Sequence, residues 1–433
     1  MADRNDTGFH CGIALALAFA ACTWPAAEAI SEAPGPRFVQ DRFAIGFFGD
    51  PPESEDLDKR FREIADAHFS VAIIGELERH DPAVLERKLA LCDALGLKAI
   101  VVQLWVESES LADGPACWGY GIRDEPNTAD FPALAQQIET LREVRPGKLG
   151  LINLFPSYAS PSEQLGAANY EAYVAAFVDQ VDVDVLCMDH YPRFLPHSGD
   201  GREAYCSDLA IMRKYALKKG IPFWNFFNAM PFGYHTDPTE AQLRWQVFAS
   251  LSYGAKGVLY FCYWTPTFRG PEGAFEFPKG GAIITADGRR TRHYEQAQRI
   301  NARLQALGPT LMQLTSIAVL RIGPQGEAAK ILADSPLRAL ERAAEDPPHN
   351  YLIGIFRHQD GRRAVLIQNY HFAYTAWPSV AFDAHPQLVK EVDQRTGQEV
   401  AVADDSPEID GLQLSLDAGE GRLFLLPRQS GGE

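Results

Sequence analysis

The feature that most constrains the fold is a strand-and-helix repeat that runs through most of the chain. Apolar strand-like runs end near residues 50, 76, 105, 125, 155, 190, 229 and 264. The ends are roughly 20 to 40 residues apart, which is the length that a parallel crossover with one helix requires. The runs are continuous rather than alternating, as expected for strands of a covered parallel sheet. The repeat therefore predicts an α/β chain.

The segments between the strands are predicted to be helical. The first has Leu57, Phe61 and Ile64 on one face at helical spacing. The predicted helices are Glu55–Phe69, Pro82–Leu95, Phe131–Val144, Tyr170–Val181, Glu203–Lys219, Thr239–Tyr253 and Thr291–Leu307. We expect Gly308 to end the last of them. The short step between strands three and four leaves little room for a helix.

Eight strand-helix units predict a (β/α)8 TIM barrel in residues 37–309. Phe43 to Leu307 is about 265 residues, close to the roughly 250 of such barrels. A doubly wound sheet is the rival architecture. No G-x-G-x-x-G pattern follows the first strand, which removes the usual cofactor argument for that rival.

The pattern changes after about residue 310. Short strand-like runs follow, at Leu352–Phe356, Ala364–Gln368, Leu388–Val392 and Leu423–Leu426. Helical periodicity is weak apart from Leu337 to Ala344. Residues 310–433 are therefore predicted to form a small all-β sandwich. A module that packs against the barrel is favoured over one that binds a ligand.

The N-terminus resembles a targeting segment. Cys11 to Trp24 is almost entirely apolar or small, and Ala27-Glu28-Ala29 follows as a cleavage signal. This predicts a signal peptide at residues 1–29 and an exported protein. In a second interpretation Cys22 ends a lipobox and carries a lipid anchor; a buried N-terminal helix is the third. No later stretch is apolar for long enough to span a membrane.

Composition excludes some partners. The chain has 40 Lys and Arg against 57 Asp and Glu, a formal net charge of −17, which disfavours nucleic acid and highly anionic polysaccharides. Its seven cysteines show no C-x-x-C spacing, so neither a zinc site nor a disulfide framework is predicted. A single disulfide between Cys117 and Cys206 stays open.

In a TIM barrel the site is built at the carboxyl ends of the strands. The polar and aromatic residues there are Asp50, Glu76, Trp105, Glu107, Glu109, Asp124, Glu125, Asn153, Tyr158, Asp189, His190, Tyr191, Trp224, Asn225, Asn228, Tyr263 and Trp264. They include neither a histidine cluster for a metal nor a glycine-rich phosphate loop, so no cofactor or metal is predicted. Carboxylates beside aromatic platforms are typical of an enzyme that hydrolyses glycosidic bonds.

Two strand-end motifs resemble a known clan. Gly119–Asn127 (GYGIRDEPN) and Asp189–Pro192 (DHYP) resemble strands four and six of the (β/α)8 glycoside hydrolases that include the family 5 and 42 enzymes. Gln242–Gly257 leading into Trp264, and Leu416–Leu426 in the accessory sandwich, are also similar. The resemblance implies that Glu125 is the general acid/base, with Asp124 in place of the clan's usual Asn.

One position departs from the clan. The clan's nucleophilic Glu ends strand seven, whereas Pro222–Met230 contains no carboxylate. The partner of Glu125 then comes from another strand, with Asp189 or Glu76 as candidates. Alternatively, Asp124 raises the pKa of Glu125, although adjacent strand residues point to opposite faces. A third alternative is a barrel that binds sugar without hydrolysing it.

We therefore predict an exported glycoside hydrolase with a carbohydrate substrate. Glu125 protonates the leaving oxygen, and Asp189 or Glu76 is the nucleophile or base. The predicted substrate-binding residues are Asp124, Asn153, His190, Tyr191, Trp224, Asn228, Trp264 and Glu76. The alternative is a non-catalytic carbohydrate-binding barrel. A metal-dependent hydrolase or lyase is disfavoured because the strand ends lack a histidine cluster.

Overall fold

A computed structural model describes most of the chain. The described residues are 36–75, 81–102, 111–194, 201–233, 235–267, 277–278, 281–323, 328–342 and 350–428. The predicted leader with Cys22, and the candidate Glu76, lie outside them and stay predictions. Mass spectrometry of the N-terminal peptide of the exported protein would test whether residues 1–29 are removed. Within the described ranges, no helix is long and apolar enough to cross a membrane.

Eight parallel strands form a nearly closed barrel, as predicted. They are β1 Ala44–Phe47, β2 Val71–Ile74, β3 Lys98–Val101, β4 Cys117–Asp124, β5 Leu149–Leu154, β6 Leu186–Asp189, β7 Phe223–Asn228 and β8 Gly257–Phe261. The hydrogen-bonded order runs from β1 through β8 and back along the chain to β2. Ser70 bridges the seam, because its backbone N–H donates to Ile45 O at 2.8 Å and its Oγ accepts from Ile45 N at 2.9 Å.

Seven helices cover the barrel. They are α1 Leu57–Asp66, α2 Pro82–Ala94, α3 Phe131–Val144, α4 Tyr170–Gln180, α5 Arg202–Lys219, α6 Glu240–Ser252 and α7 Arg292–Met312. Side-chain caps explain why several begin where they do: Asp56, Asn169 and Thr239 each accept from a backbone N–H of the first turn. Between β3 and β4, the described residues 111–116 form no helix, in keeping with the short step.

One predicted helix end is wrong. Helix α7 continues through Gly308 and Pro309 to Met312. The reason is tertiary packing, because a Cβ built on Gly308 would lie 3.2 Å from Phe43 Cβ on the first strand segment. The glycine is used for close approach of helix to barrel, and not as a cap.

The C-terminal region is antiparallel. It consists of β9 Leu314–Ile322, α8 Ala328–Leu332, β10 Leu337–Arg342, β11 Tyr351–His358, β12 Arg363–Asn369, β13 Pro378–Phe382, β14 Lys390–Val392, β15 Glu399–Ala401, β16 Leu412–Gln413 and β17 Gly421–Leu425. The helical periodicity that begins at Leu337 does not produce a helix, because residues 337–342 are a strand paired with β13. Leu337 and Leu340 enter the sandwich core, so burial overrides a weak helical pattern.

The sandwich has a six-stranded and a three-stranded sheet. Alternate residues of β11 face opposite sides: Ile353 and Ile355 enter the sandwich core, whereas Leu352 and Phe356 pack into the barrel's outer core. Strand β11 of the larger sheet is therefore buried on both faces. Barrel and sandwich share one continuous apolar layer.

The cysteines of the described part are all buried free thiols. Cys117 belongs to the barrel core and Cys206 to the layer under α5. The disulfide left open between these two residues is therefore absent from the structure.

A buried ion pair supports the β1 edge of the barrel mouth. Lys88 Nζ on α2 lies 2.6 Å from Asp50 Oδ2 and 2.8 Å from Pro51 O, and both charged side chains are buried. Asp50 Oδ1 also accepts from Gly75 N at 3.2 Å, which joins the ends of β1 and β2. Asp50, which follows β1, is thus structural, by an ion pair as well as by turn chemistry.

We expect Lys88→Met to lower the free energy of unfolding by about 3–5 kcal/mol, because it leaves a buried carboxylate without its cation. Urea unfolding measures the loss. The exposed Lys59→Met on α1 is the control and should change stability by less than about 0.5 kcal/mol. An equal, small change in both variants would mean that the pair contributes nothing.

Candidate active site

Three carboxylates meet at the carboxyl end of the barrel. Asp124 is the last residue of β4, Glu125 follows it, and Asp189 is the last residue of β6. Strand β5 lies between them, with Asn153 in register with Asp124 on one side and with Cys187 on the other. Asn153 Nδ2 donates to Asp124 Oδ1 at 2.9 Å. The sheet register therefore brings the three acids to one edge.

The backbone at Glu125 explains how adjacent acids share one site. Glu125 has a φ of 44°, in the left-handed region that a non-glycine residue rarely adopts. Its N–H still donates to Asn153 O at 2.8 Å, and a register shift precedes it between Gly121 and Arg123. This turn breaks the strict alternation of a strand, so Glu125 and Asp124 are not held on opposite faces. Strained residues of this kind cluster at functional sites.

The two residues after Glu125 hold it in place. Tyr173 Oη on α4 donates to Pro126 O at 2.7 Å in a buried contact. Asn127 Oδ1 accepts from Ala129 N at 3.0 Å, and Asp130 accepts from Asn127 N at 2.9 Å. This capping box starts the short turn that leads into α3. The Pro and Asn of the motif are therefore structural supports for the carboxylate.

The electrostatic environment favours a protonated Glu125. Burial, then the charges of Asp189 and Asp124, raise the pKa of Glu125 well above its usual range. Its Oε2 atom is buried and has no hydrogen-bond partner in the described structure. A buried, unpartnered and repelled carboxyl group has the character of a proton donor.

Asp189 lies in a different environment. Burial and the charge of Asp124 raise the pKa of Asp189 well above its usual range, but hydrogen bonds from Tyr191 and Asn153 oppose the shift. Such hydrogen bonds stabilise the charged form. Desolvation of its carboxyl group by the surrounding strand ends also raises the pKa of Asp124, although the residue as a whole is exposed, whereas its hydrogen bond from Asn153 and the charge of Arg123 lower it. The pKa is raised for all three carboxyl groups, and hydrogen bonds oppose the shift at Asp189 and Asp124 but not at Glu125.

Aromatic rings close one side of this end of the barrel. Tyr191 packs against Phe261 and Phe232, with ring centroids 5.1 and 5.4 Å away. All three are buried. In the described part, solvent reaches the carboxylates from the β4–β5 side, where Asp124 is exposed and Glu125 and Asn153 are half-buried.

His190 is predicted to bind substrate, and the structure places it in contact with the helix layer beside the site. Its side chain is 1% exposed and Nδ1 lies 2.6 Å from Asp208 Oδ2 on α5. Its ring packs between Tyr158 and Tyr205, at 5.1 and 5.3 Å. As the residue after Asp189, it points away from the barrel interior and into the helix layer. His190 therefore contacts the site from the helix layer outside the barrel.

Trp224 is also predicted to contact substrate, and the structure places it away from the three carboxylates. It is the second residue of β7, fully buried inside the barrel, and stacks on Trp118 at 6.2 Å. Its indole N–H donates to Gln40 Oε1 at 3.0 Å. These contacts lie at the amino end of the strand, far from the carboxylates.

Trp264 and Asn228 lie near the mouth of the barrel, but their side chains contact other parts of the protein. Trp264 is 3% exposed and packs outward, with the Arg60 guanidinium 5.2 Å from its ring. Asn228 is fully buried, and its Oδ1 accepts from Met230 N at 3.2 Å. Both side chains therefore make contacts within the protein near the ends of β7 and β8, and their assignment to the substrate stays a prediction.

The structure places two residues beside the site for which the sequence predicts no role, Tyr158 and Asp208. Tyr158 follows β5 and was named only as a strand-end residue. Asp208 is fully buried in α5. The sequence contains a signal for Asp208, because this acid falls on the apolar face of the helix with Tyr205, Leu209 and Met212. A lone acid on a buried helix face needs a partner, and here that partner is His190.

Within the part of the chain that is described, no cluster of three or more His, Cys, Asp or Glu side chains is arranged to hold a metal ion. A surface cavity of about 300 Å³ exists elsewhere, lined by Arg37, Asp182 and Lys219 among others. It lies near the amino ends of β6 and β7, so it is remote from the three carboxylates.

Comparison with known proteins agrees with this architecture. No protein-family model and no curated protein matches the chain. A GH42 β-galactosidase from G. stearothermophilus has a similar structure, with a TM-score of 0.52 and 10% identity over 89% of this chain and 98% of that one. A glycoside hydrolase family 5 protein from Bacteroides vulgatus has a TM-score of 0.49 at 10% identity, over 90% of each chain.

The chain spans 60% of the length of a third similar protein, a β-galactosidase from the psychrophilic Marinomonas ef1, over 61% of its own length, at 12% identity and a TM-score of 0.43. At such identities the likeness is one of fold. The chain therefore has a (β/α)8 fold like that of the GH42 β-galactosidase, with an antiparallel β region after it. The fold expected from the strand-end motifs is confirmed.

Proposed function

We propose that this protein is a glycoside hydrolase in which Glu125 is the general acid and Asp189 the second carboxylate. The observation that carries the proposal is the pair of buried carboxylate oxygens without partners, Glu125 Oε2 and Asp189 Oδ1, at the carboxyl end of a (β/α)8 barrel. Leaving two such atoms unsatisfied is costly to the fold. The cost is understandable if a substrate supplies the missing contacts.

The two acids have separate roles in this proposal. Glu125 carries a proton at neutral pH and delivers it to the leaving oxygen. Asp189, whose charged form receives hydrogen bonds from Tyr191 and Asn153, acts on the opposite side of the sugar. It either attacks the anomeric carbon, which gives retention, or deprotonates a water, which gives inversion. NMR of the first-formed anomer distinguishes the two.

The test is hydrolysis of a substrate panel by the purified chain. The panel contains 4-nitrophenyl β-galactoside, glucoside, mannoside and xyloside, together with oligosaccharides of the same sugars. We expect turnover of at least one member. Absence of product from every member would reject the proposal for these sugars and favour the second candidate.

The second candidate is a carbohydrate-binding barrel without turnover. It is favoured by the end of β7, where Asn228 stands in place of a carboxylate and its side chain is bound to the local backbone. It predicts saturable binding of a panel sugar by calorimetry, with no product in the same sample.

The pH profile is expected to respond to Asp124. A general acid works while it is protonated, so activity falls as pH rises through the pKa of Glu125. Because the charge of Asp124 raises that pKa, Asp124→Asn should lower it and move the alkaline limb of kcat/KM to lower pH. The exposed Asp93→Asn on α2 is the control and should leave the limb in place. If the alkaline limb of kcat/KM lies at the same pH in Asp124→Asn as in the wild-type protein, ionisation of Glu125 does not determine that limb.

A further inference from the structure

Tyr158 differs from the other aromatic residues around the carboxylates in its exposure. It is 37% exposed, whereas Tyr191, Phe232 and Phe261 are between 5% and 7% exposed. It lies in the loop after β5, on the β4–β5 side from which solvent reaches the acids. A large ring is therefore presented to solvent at the entrance of a site whose other described rings are covered.

The ring of Tyr158 is held by its neighbours. The ring of His190 meets it edge to face, with centroids 5.1 Å apart and planes at 76°. The ring of His235 lies 6.5 Å away. These contacts fix the orientation of the phenol without covering it.

Asp208 fixes the position of that pair of rings. One oxygen, Oδ2, accepts from Ser157 N at 2.9 Å and lies 2.6 Å from His190 Nδ1. The first contact anchors the backbone next to Tyr158, and the second anchors the ring that packs on it. A single buried carboxylate on α5 thus ties the loop after β5 to the end of β6.

The phenol lies next to the end of β6, because its ring packs on His190, the residue after Asp189. Burial of the hydroxyl, together with the charges of Asp189 and Glu125, raises the pKa of Tyr158 well above its usual range. The hydroxyl therefore stays neutral. Aromatic faces bind the C–H face of a pyranose ring, and a ring that is already fixed loses little entropy on binding.

We propose that Tyr158 is the platform on which a pyranose ring of the substrate stacks beside Glu125 and Asp189, and that Asp208 is its positioning residue. This inference rests on the proposed function. The platform favours neutral pyranosides that present an unobstructed C–H face. Acidic sugars are disfavoured because they would meet three carboxylates.

The test uses the 4-nitrophenyl glycoside that the wild-type enzyme hydrolyses best. Tyr158→Ala should raise KM about tenfold, which corresponds to about 1.4 kcal/mol of lost stacking, with a smaller change in kcat. Tyr158→Phe keeps the ring and should raise KM less. Tyr374→Ala is the matched control, because this tyrosine is similarly exposed, at 43%, but lies on the sandwich.

Asp208→Asn tests the positioning role. We expect a rise in KM of about threefold or more in the wild-type background, and a much smaller rise when Tyr158→Ala is already present. Non-additivity of this kind shows that one residue acts through the other. If Asp208 is only structural, Asp208→Asn should lower the unfolding midpoint. It should then raise KM by the same factor with and without Tyr158→Ala.

The outcomes separate the two proposals. If the wild-type enzyme hydrolyses the glycoside but Tyr158→Ala leaves KM unchanged, the platform is rejected and the proposed function stands. If Tyr158→Phe loses as much as Tyr158→Ala, the hydroxyl and not the ring is the contact, which also rejects stacking. If the wild-type chain neither hydrolyses nor binds any panel sugar, both proposals fail.

Discussion

Glu125→Gln is expected to lower the turnover of oligosaccharides about 10²- to 10⁴-fold, the usual contribution of a positioned general acid. Glutamine keeps the shape of the side chain but has no proton to give. A 4-nitrophenyl glycoside needs less help from an acid, because its leaving group departs as a stable anion. Bond cleavage in this substrate should therefore suffer less than cleavage of the matching oligosaccharide. That difference identifies Glu125 as the acid and not as a mere contact.

The same variant should be more stable than the wild-type protein. The pKa of Glu125 is raised in the folded state, so folding favours its protonated form and stability falls as pH rises from the unfolded pKa towards the folded one. Glutamine cannot ionise, which removes that loss. Urea unfolding at about pH 5 and about pH 8 should show a gain for Glu125→Gln that is larger at the higher pH.

The control for this prediction is Glu139→Gln, an exposed position on α3. It should alter neither turnover nor the pH dependence of stability. Full turnover of an oligosaccharide by Glu125→Gln would end the assignment of this residue as the acid. Lost turnover together with lost stability would indicate a structural role instead.

Asp189→Asn is expected to lower turnover about 10²- to 10⁴-fold, because it removes the group that attacks the sugar or activates water. Here the leaving group should not matter, so the 4-nitrophenyl glycoside and the oligosaccharide should lose similar factors. Asp189→Ala should recover part of its activity in added azide if the aspartate is the nucleophile, since the anion can take its place. The product would then be a glycosyl azide.

Removal of Asp189 should also change Glu125. After burial, the charge of Asp189 is the largest cause that raises the pKa of Glu125, so Asp189→Asn should lower that pKa. The alkaline limb of the residual activity should move to lower pH. Asp179→Asn, exposed on α4, is the control. Wild-type turnover in Asp189→Asn would point to a second carboxylate other than Asp189, and Glu76 is the candidate to test next.

Much of the barrel was predictable because its local signals agree with one another. Helix α3 has the predicted bounds Phe131–Val144, and caps at Asp56, Asn169 and Thr239 start other helices within two residues of the predicted positions. Eight apolar runs at crossover spacing leave few architectures for a parallel sheet. Packing overrode local preference at Gly308, where the predicted helix end is wrong, and at Leu337, where helical periodicity is found in a strand.

The site was less predictable, because strand order does not define side-chain direction. The motif singled out Glu125, and β4, β5 and β6 bring Asp124 and Asp189 to the same edge. The left-handed backbone at Glu125 has no local sequence signal, yet it frees two adjacent acids from strict alternation. Trp224 and Trp264 looked equivalent in the sequence, but one lies at the wrong end of its strand and the other points outward.

The sequence by itself determined the strand-and-helix repeat, the change to β structure near residue 310 and the strand-end position of the acids, because these depend on periodicity and composition. Only the tertiary structure decided which groups meet. Asp208 joins His190 to the loop that carries Tyr158 across strands and helix, and burial together with neighbouring charges raises the pKa of both Glu125 and Asp189. Such effects depend on distance and solvent access, which a linear pattern of residues does not contain.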